Sequence, residues 1–327
     1  MKWSRNFKAL RSGVKLVTKV AKSQLKAPRI EPPPLARPSR MVDFQDFGDN
    51  PGHLRMRAYV PPTIPGAPLV VLLHGCGQDA ATFAADSGWI ARSDQQRFPL
   101  ILPEQASANH VGRCFQWFHP KDTARDSGEA GSIAEMTRAA IARFGSDPTR
   151  VFVVGLSAGA AMAAALLATY PDLFTAGAAV AGLPVGAARS TMEALLRMAS
   201  AGPDQSPEHW AAIARSAAPP GFAGPWPRLS IWHGQADTTV APGNATLLAT
   251  QWRALHGLTA PVVAEQTRNG VRHQMWPNAK QPQVELWSLP HLPHAYPVGR
   301  RVVEPGRFVE PAQVDATAGI ARFLGLD

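Results

Sequence analysis

The sequence predicts an α/β fold: a mostly parallel, eight-stranded sheet with helices on both faces and a small cap insertion at about residues 184–228. Two observations carry the prediction. Short apolar runs alternate with amphipathic stretches from residue 42 onward, the pattern of strands joined by crossover helices. A chain of 327 residues with 45% apolar side chains is also long enough to bury one large core.

Taken in order, the strands are expected at Val42 to Phe47, Leu54 to Val60, Leu69 to Leu73, Pro99 to Leu102, Val151 to Gly155, Ala176 to Ala181, Leu229 to His233 and Val284 to Leu289. The first two lie close enough in sequence to pair as an antiparallel edge. Asn269-Gly270 is a two-residue hairpin signal and predicts a small excursion before the last strand. Helices are expected near Thr82 to Gln96, Ser132 to Phe144, Ala158 to Thr169, Ala245 to His256 and Ala312 to Phe323. Pro184 to Arg228 is too long for a simple connection, and its Met192, Leu195, Leu196 and Trp210 suggest short helices arranged as the cap.

The formal charge of +9 belongs to one end. Met1 to Arg40 holds 11 of the 33 Lys/Arg and one of the 24 acids, Glu31, leaving 22 basic and 23 acidic residues for the α/β domain expected over 41–327. Within 1–40, Trp3, Phe7, Leu10, Val14, Val17 and Ala21 fall on one helical stripe with most lysines off it. Such a cationic amphipathic helix suits a granule or membrane surface. A frayed, solvated leader fits the same residues. Ala27 to Arg40, with five prolines, reads as an extended linker. The apolar residues never gather into a secretory core or a membrane span, so a cytoplasmic or granule-associated location is favoured, with an extracellular one as the alternative. Nucleic-acid binding is not expected, because the basic charge is confined to this arm. Two cysteines and no metal-ligand spacing predict neither a metal nor a cofactor.

Chemistry gathers around Gly155-Leu156-Ser157-Ala158-Gly159. The pentapeptide follows an apolar strand and opens a small-residue helix, the context of the nucleophile elbow in the α/β-hydrolase fold, with Ser157 as nucleophile. A serine hydroxyl needs a base oriented by an acid, in the chain order Ser, Asp, His. Asp237 follows the apolar run ending at His233 and supplies the acid. The loop after Val284 to Leu289 carries His291 and His294, and spacing alone leaves both as candidate bases. The backbone N–H groups of Ala158 and Cys76, the latter in His74-Gly75-Cys76-Gly77-Gln78, are the expected oxyanion donors. Cys76 is free to bridge to Cys114 or to stay reduced. His74, His233 and His273 read as structural or turn histidines.

Seven ordered blocks carry a resemblance: LLHGCGQDAATFA at Leu72, CFQWFHP at Cys114, GEAGSIAEM at Gly128, DPTRVFVVGLSAGAAMA at Asp147, YPDLFTAGAAVAGLP at Tyr170, HGQADTTVAPGNA at His233 and HAYPVG at His294. Together they make Val42 to Leu324 resemble the polyhydroxybutyrate depolymerase family of esterases, whose relatives include feruloyl and acetylxylan esterases. The resemblance implies a triad of Ser157, Asp237 and His294, with Cys76 as an oxyanion donor. It favours His294 over His291 because the family histidine precedes an aromatic-Pro pair, here Tyr296-Pro297. It also implies an ester substrate such as a short 3-hydroxyalkanoate, with Trp117 and Gln78 as pocket residues.

Overall fold

Apolar β-branched and leucine-rich runs form the centre of the molecule, since strands covered on both faces need no polar side. The computed structural model describes residues 40–202, 205–258, 264–277, 281–299 and 306–327. The expected helix and linker of residues 1–39 lie outside them.

In chain order the strands are β1 (Met41–Asp43), β2 (Arg55–Tyr59), β3 (Leu69–Leu73), β4 (Leu100–Glu104), β5 (Val151–Leu156), β6 (Ala176–Val180), β7 (Arg228–Gly234), β8 (Ala264–Arg268), β9 (Val271–Trp276), β10 (Val284–Leu289), β11 (Tyr296–Gly299) and β12 (Val309–Ala312). Ten form one sheet in the order β1-β2-β4-β3-β5-β6-β7-β10-β9-β8. The run from β4 to β10 is parallel, and antiparallel pairs close both edges.

Among the described residues the main sheet, expected with eight strands, is corrected to ten. The Asn269-Gly270 turn forms, with both residues at positive φ, but its two arms extend the sheet instead of standing apart from it. β8 reads Ala-Glu-Gln-Thr-Arg and is mostly exposed, so no hydrophobic alternation marked it. β11 and β12 form a separate parallel pair and also went unpredicted. Each contains a proline, Pro297 or Pro311, which cannot donate to a ladder.

Side chains along β3 alternate between the two cores. Leu69, Val71 and Leu73 face the helices Gly128–Phe144, Ala158–Thr169 and Gly243–Leu255, while Val70 and Leu72 face Ala80–Asp86, Trp89–Gln96 and Ala316–Leu324. The single helix expected over 82–96 is two, interrupted at Ser87-Gly88, where Gly88 adopts φ 82°. The last helix starts at Ala316, where Asp315 accepts the Ala318 N–H as its N-cap, and not at Ala312. Residues 184–228 carry two helices, Thr191–Ala199 and Pro207–Ala217.

Candidate active site

The parallel strands deliver their loops to one edge, the carboxyl edge where ligands of open α/β sheets bind. At the end of β5 the chain turns so sharply that Ser157 sits at φ 57°, ψ −119°. Glycines make that turn feasible. A Cβ on Gly155 would collide with Gly159 O, and one on Gly159 with the carbonyl oxygens of Leu73 and His74. Ser157 N–H is anchored on Val180 O at 2.9 Å, so the strained residue is held from the neighbouring strand.

Asp237 stands in the turn after β7, with its carboxylate surrounded by donors. Oδ1 accepts the N–H groups of Thr239 and Val240, each at 2.8 Å, and Oδ2 accepts His294 Nδ1–H at 2.7 Å. His233 Nε2 lies 3.2 Å from the same Oδ2 and 2.9 Å from Val240 O, so it serves as a further donor. Burial opposes ionisation of this carboxylate. The hydrogen bonds from His233 and His294, the charge attraction of His294 and the Val240 N–H outweigh it and hold the group well below the usual range.

With Nδ1 donating to Asp237, His294 Nε2 is left to accept the Ser157 hydroxyl at 2.9 Å. The structure therefore brings together residues 157, 237 and 294, and it leaves His291 exposed on the same loop. The loop is seated tightly: Leu292 O accepts Ala236 N–H, and Gly234 has no room for a Cβ beneath that carbonyl. Phe308 packs edge-on against the imidazole at 5.9 Å between ring centres.

Beside Ser157, the turn after β3 is drawn in by Gln78, whose Oε1 accepts Gly75 N–H at 2.8 Å. Its Nε2 donates to Arg307 O at 2.6 Å. Gln78 was expected in the substrate pocket. Instead it is buried with its amide committed to the backbone on both sides. The N–H groups of Cys76 and Ala158 have no acceptor among the described residues, which leaves them available as a pair of donors. Cys76 and Cys114 are disulfide-bonded, tying this turn to the 106–117 loop. Trp117, the other expected pocket residue, is buried in the core and packs edge-on against Phe118.

A polar network supports the same turn from behind. His74, fully buried, accepts Gln105 N–H at Nε2 over 3.1 Å and donates from Nδ1 to Gly75 O over 2.8 Å, and burial keeps its pKa low. Gln105 in turn donates to Glu129, and Glu129 also accepts the Gln116 N–H at 2.8 Å. Burial pushes Glu129 up to about 8, against the pull of those hydrogen bonds.

Sequence reasoning missed Phe308, the support from Glu129 and Gln105, and the contact of His233 with Asp237. Only the last had a usable signal, because His233 precedes Asp237 by four residues across one strand-end turn.

The esterase PHB depolymerase family pattern matches residues 54–274. Poly(3-hydroxyalkanoate) depolymerase C of Paucimonas lemoignei is 38% identical over 293 residues, covering 88% of this chain and 70% of the relative. Feruloyl esterase B of Talaromyces stipitatus is 33% identical over 226 residues, covering 67% of this chain and 62% of that protein. Thus the chain spans between six and seven tenths of these relatives' lengths. Among solved structures, the acetyl xylan esterase from Aspergillus awamori superposes with a TM-score of 0.74 at 26% identity, covering 88% of this chain and 99% of that one. The chain belongs to the esterase PHB depolymerase family.

Proposed function

We propose that this protein hydrolyses carboxylic esters through an acyl-enzyme, with Ser157, His294 and Asp237 as its catalytic triad. The observation that carries the proposal is the continuous chain Ser157 Oγ to His294 Nε2 at 2.9 Å and His294 Nδ1 to Asp237 Oδ2 at 2.7 Å. As Ser157 Oγ attacks the ester carbonyl, its proton passes to His294 Nε2 and the carbonyl oxygen becomes an oxyanion facing the N–H groups of Cys76 and Ala158. Collapse expels the alcohol, which takes the proton from His294 and leaves the acyl group on Ser157. Water then attacks by the same route and frees the acid. Asp237 keeps Nδ1 protonated and stabilises the imidazolium that forms.

Short 3-hydroxyalkanoate esters are the favoured substrates, supported by the 38% identity to a poly(3-hydroxyalkanoate) depolymerase. Removal of acetyl or feruloyl groups from polysaccharide is the second reading, favoured by the superposition on an acetyl xylan esterase. Catalytic efficiency on 3-hydroxybutyrate oligomers against methyl ferulate and acetylated xylan separates them. Ser157→Ala is expected to lower turnover of any of these by around a millionfold. Retained turnover in the variant would remove Ser157 from the mechanism, whereas no turnover of any of these esters by the wild type would leave a binding protein with an inert hydrolase core. Contact of residues 1–40 with a granule or anionic membrane is part of the same reading. Unchanged association of a chain lacking them with granules or anionic vesicles would refute it.

A further inference from the structure

Two arginines remote in sequence converge on one backbone oxygen beside the oxyanion turn. Arg113 Nη2 donates to Gly77 O at 3.1 Å and Arg307 Nη1 reaches the same atom at 3.4 Å. Gly77 directly follows Cys76, whose N–H is unfilled among the described residues, and Gly77 N–H is taken by Gly112 O at 2.8 Å. A Cβ on Gly77 would lie 2.6 Å from Arg307 Nη1, so the guanidinium rests over that glycine. Arg307 also stacks over the Phe308 ring at 4.8 Å, and Phe308 packs on His294. The arginine is thus one side chain away from the base.

Among the described residues no carboxylate lies within salt-bridge distance of Arg113 or Arg307. Asp79 caps the helix Ala80–Asp86 through Thr82 N–H, Glu104 accepts Ala80 N–H, and Asp86 packs beneath Gly306 with its pKa raised by burial and by Asp79. Each guanidinium has five N–H donors in a planar fork, of which the Gly77 carbonyl occupies one. Two like charges sharing one neutral acceptor repel, and an anion placed between them turns that repulsion into paired, charge-assisted hydrogen bonds.

We propose that Arg113 and Arg307 form an anion subsite that selects esters bearing a free carboxylate close to the scissile carbonyl. The inference rests on the esterase reading above and narrows it. A linear hydroxyalkanoate oligomer ends in such a carboxylate, two carbons from its last ester oxygen, whereas an acetyl group on a neutral sugar offers none. Carboxylate and subsite meet while the carbonyl oxygen faces Cys76 and Ala158, so the selectivity appears in kcat/KM.

The test uses the linear dimer of 3-hydroxybutyrate, its methyl ester and p-nitrophenyl acetate. Wild type is expected to favour the acid dimer over its methyl ester by roughly tenfold in kcat/KM at low ionic strength. The preference shrinks toward parity as salt approaches ~1 M and the Debye length falls to a few ångström. Arg307→Gln alone, and with Arg113→Gln, brings the ratio towards one. A purely structural role for the arginines would lower both substrates together and keep the ratio, and that result overturns the subsite. Equal efficiency in wild type overturns it without any variant. If p-nitrophenyl acetate and the methyl ester are hydrolysed without preference for the acid dimer, only the subsite is lost. Inactivity on all three overturns the esterase reading as well.

Discussion

Two buried carboxyl groups flank the site and are held in opposite charge states. Asp237, 5% exposed, faces two backbone N–H groups and two imidazoles and stays ionised. Glu129, 1% exposed, accepts from Gln105 and the Gln116 N–H and is pushed up to about 8. Both are nearly closed to solvent, so the donors decide the difference: two imidazoles and two backbone N–H groups face Asp237, one side-chain amide and one N–H face Glu129. One side of the site handles charge, and the other is a neutral scaffold that shapes the turn bearing Cys76.

The largest break in this comparison is expected from Asp237→Asn. An amide cannot hold His294 in the Nδ1–H tautomer, and turnover should fall about ten-thousandfold with the fold intact by circular dichroism. A loss under tenfold would deny the carboxylate its orienting role. On the scaffold side, Cys76→Ser with Cys114→Ser opens a loop of sequence separation 38, worth about 4 kcal/mol in the loop-entropy account. Urea unfolding reads this as a lower midpoint, and an unchanged midpoint would show that the polar network alone secures the turn.

Glu129→Gln sharpens the comparison through pH. Below about 4.5 the carboxyl is protonated in both folded and unfolded chains. From there to about 8 the unfolded chain loses its proton while the folded one keeps it, so wild type loses stability as pH rises. The variant escapes this loss, and its thermal midpoint should gain on wild type between pH 5 and 8, by an amount corresponding to a few kcal/mol. A pH-independent difference would mean that Glu129 ionises normally. The smallest effect is expected from Gly234→Ala, whose methyl group meets Leu292 O and pushes on the loop carrying His294. Overpacking of about 1–3 kcal/mol should accompany lower kcat with little change in KM. Unaltered kcat would show that the loop adjusts without moving the imidazole.

Much of this site was legible because its parts are local. Residues 151–169 contain the whole instruction for the elbow: a β-branched strand, glycines where the backbone closes on itself, and a helix of small residues that packs against the sheet. Asp237 was legible for the same reason, as a turn aspartate at a strand end. His294 was narrowed only by resemblance, since spacing treated His291 equally.

By itself the sequence determined the alternation of strands and helices and the sharp turn that presents Ser157, all of which follow from periodicity and steric rules acting over a few residues. Tertiary structure alone decided that β8 and β9 join the sheet edge, that Gln78 faces the backbone, and that Phe308 covers His294. It also decided that Arg113 and Arg307 meet at Gly77. The reason is that packing and charge act through space, and nothing in a one-dimensional pattern reports which distant side chains come to share one carbonyl oxygen.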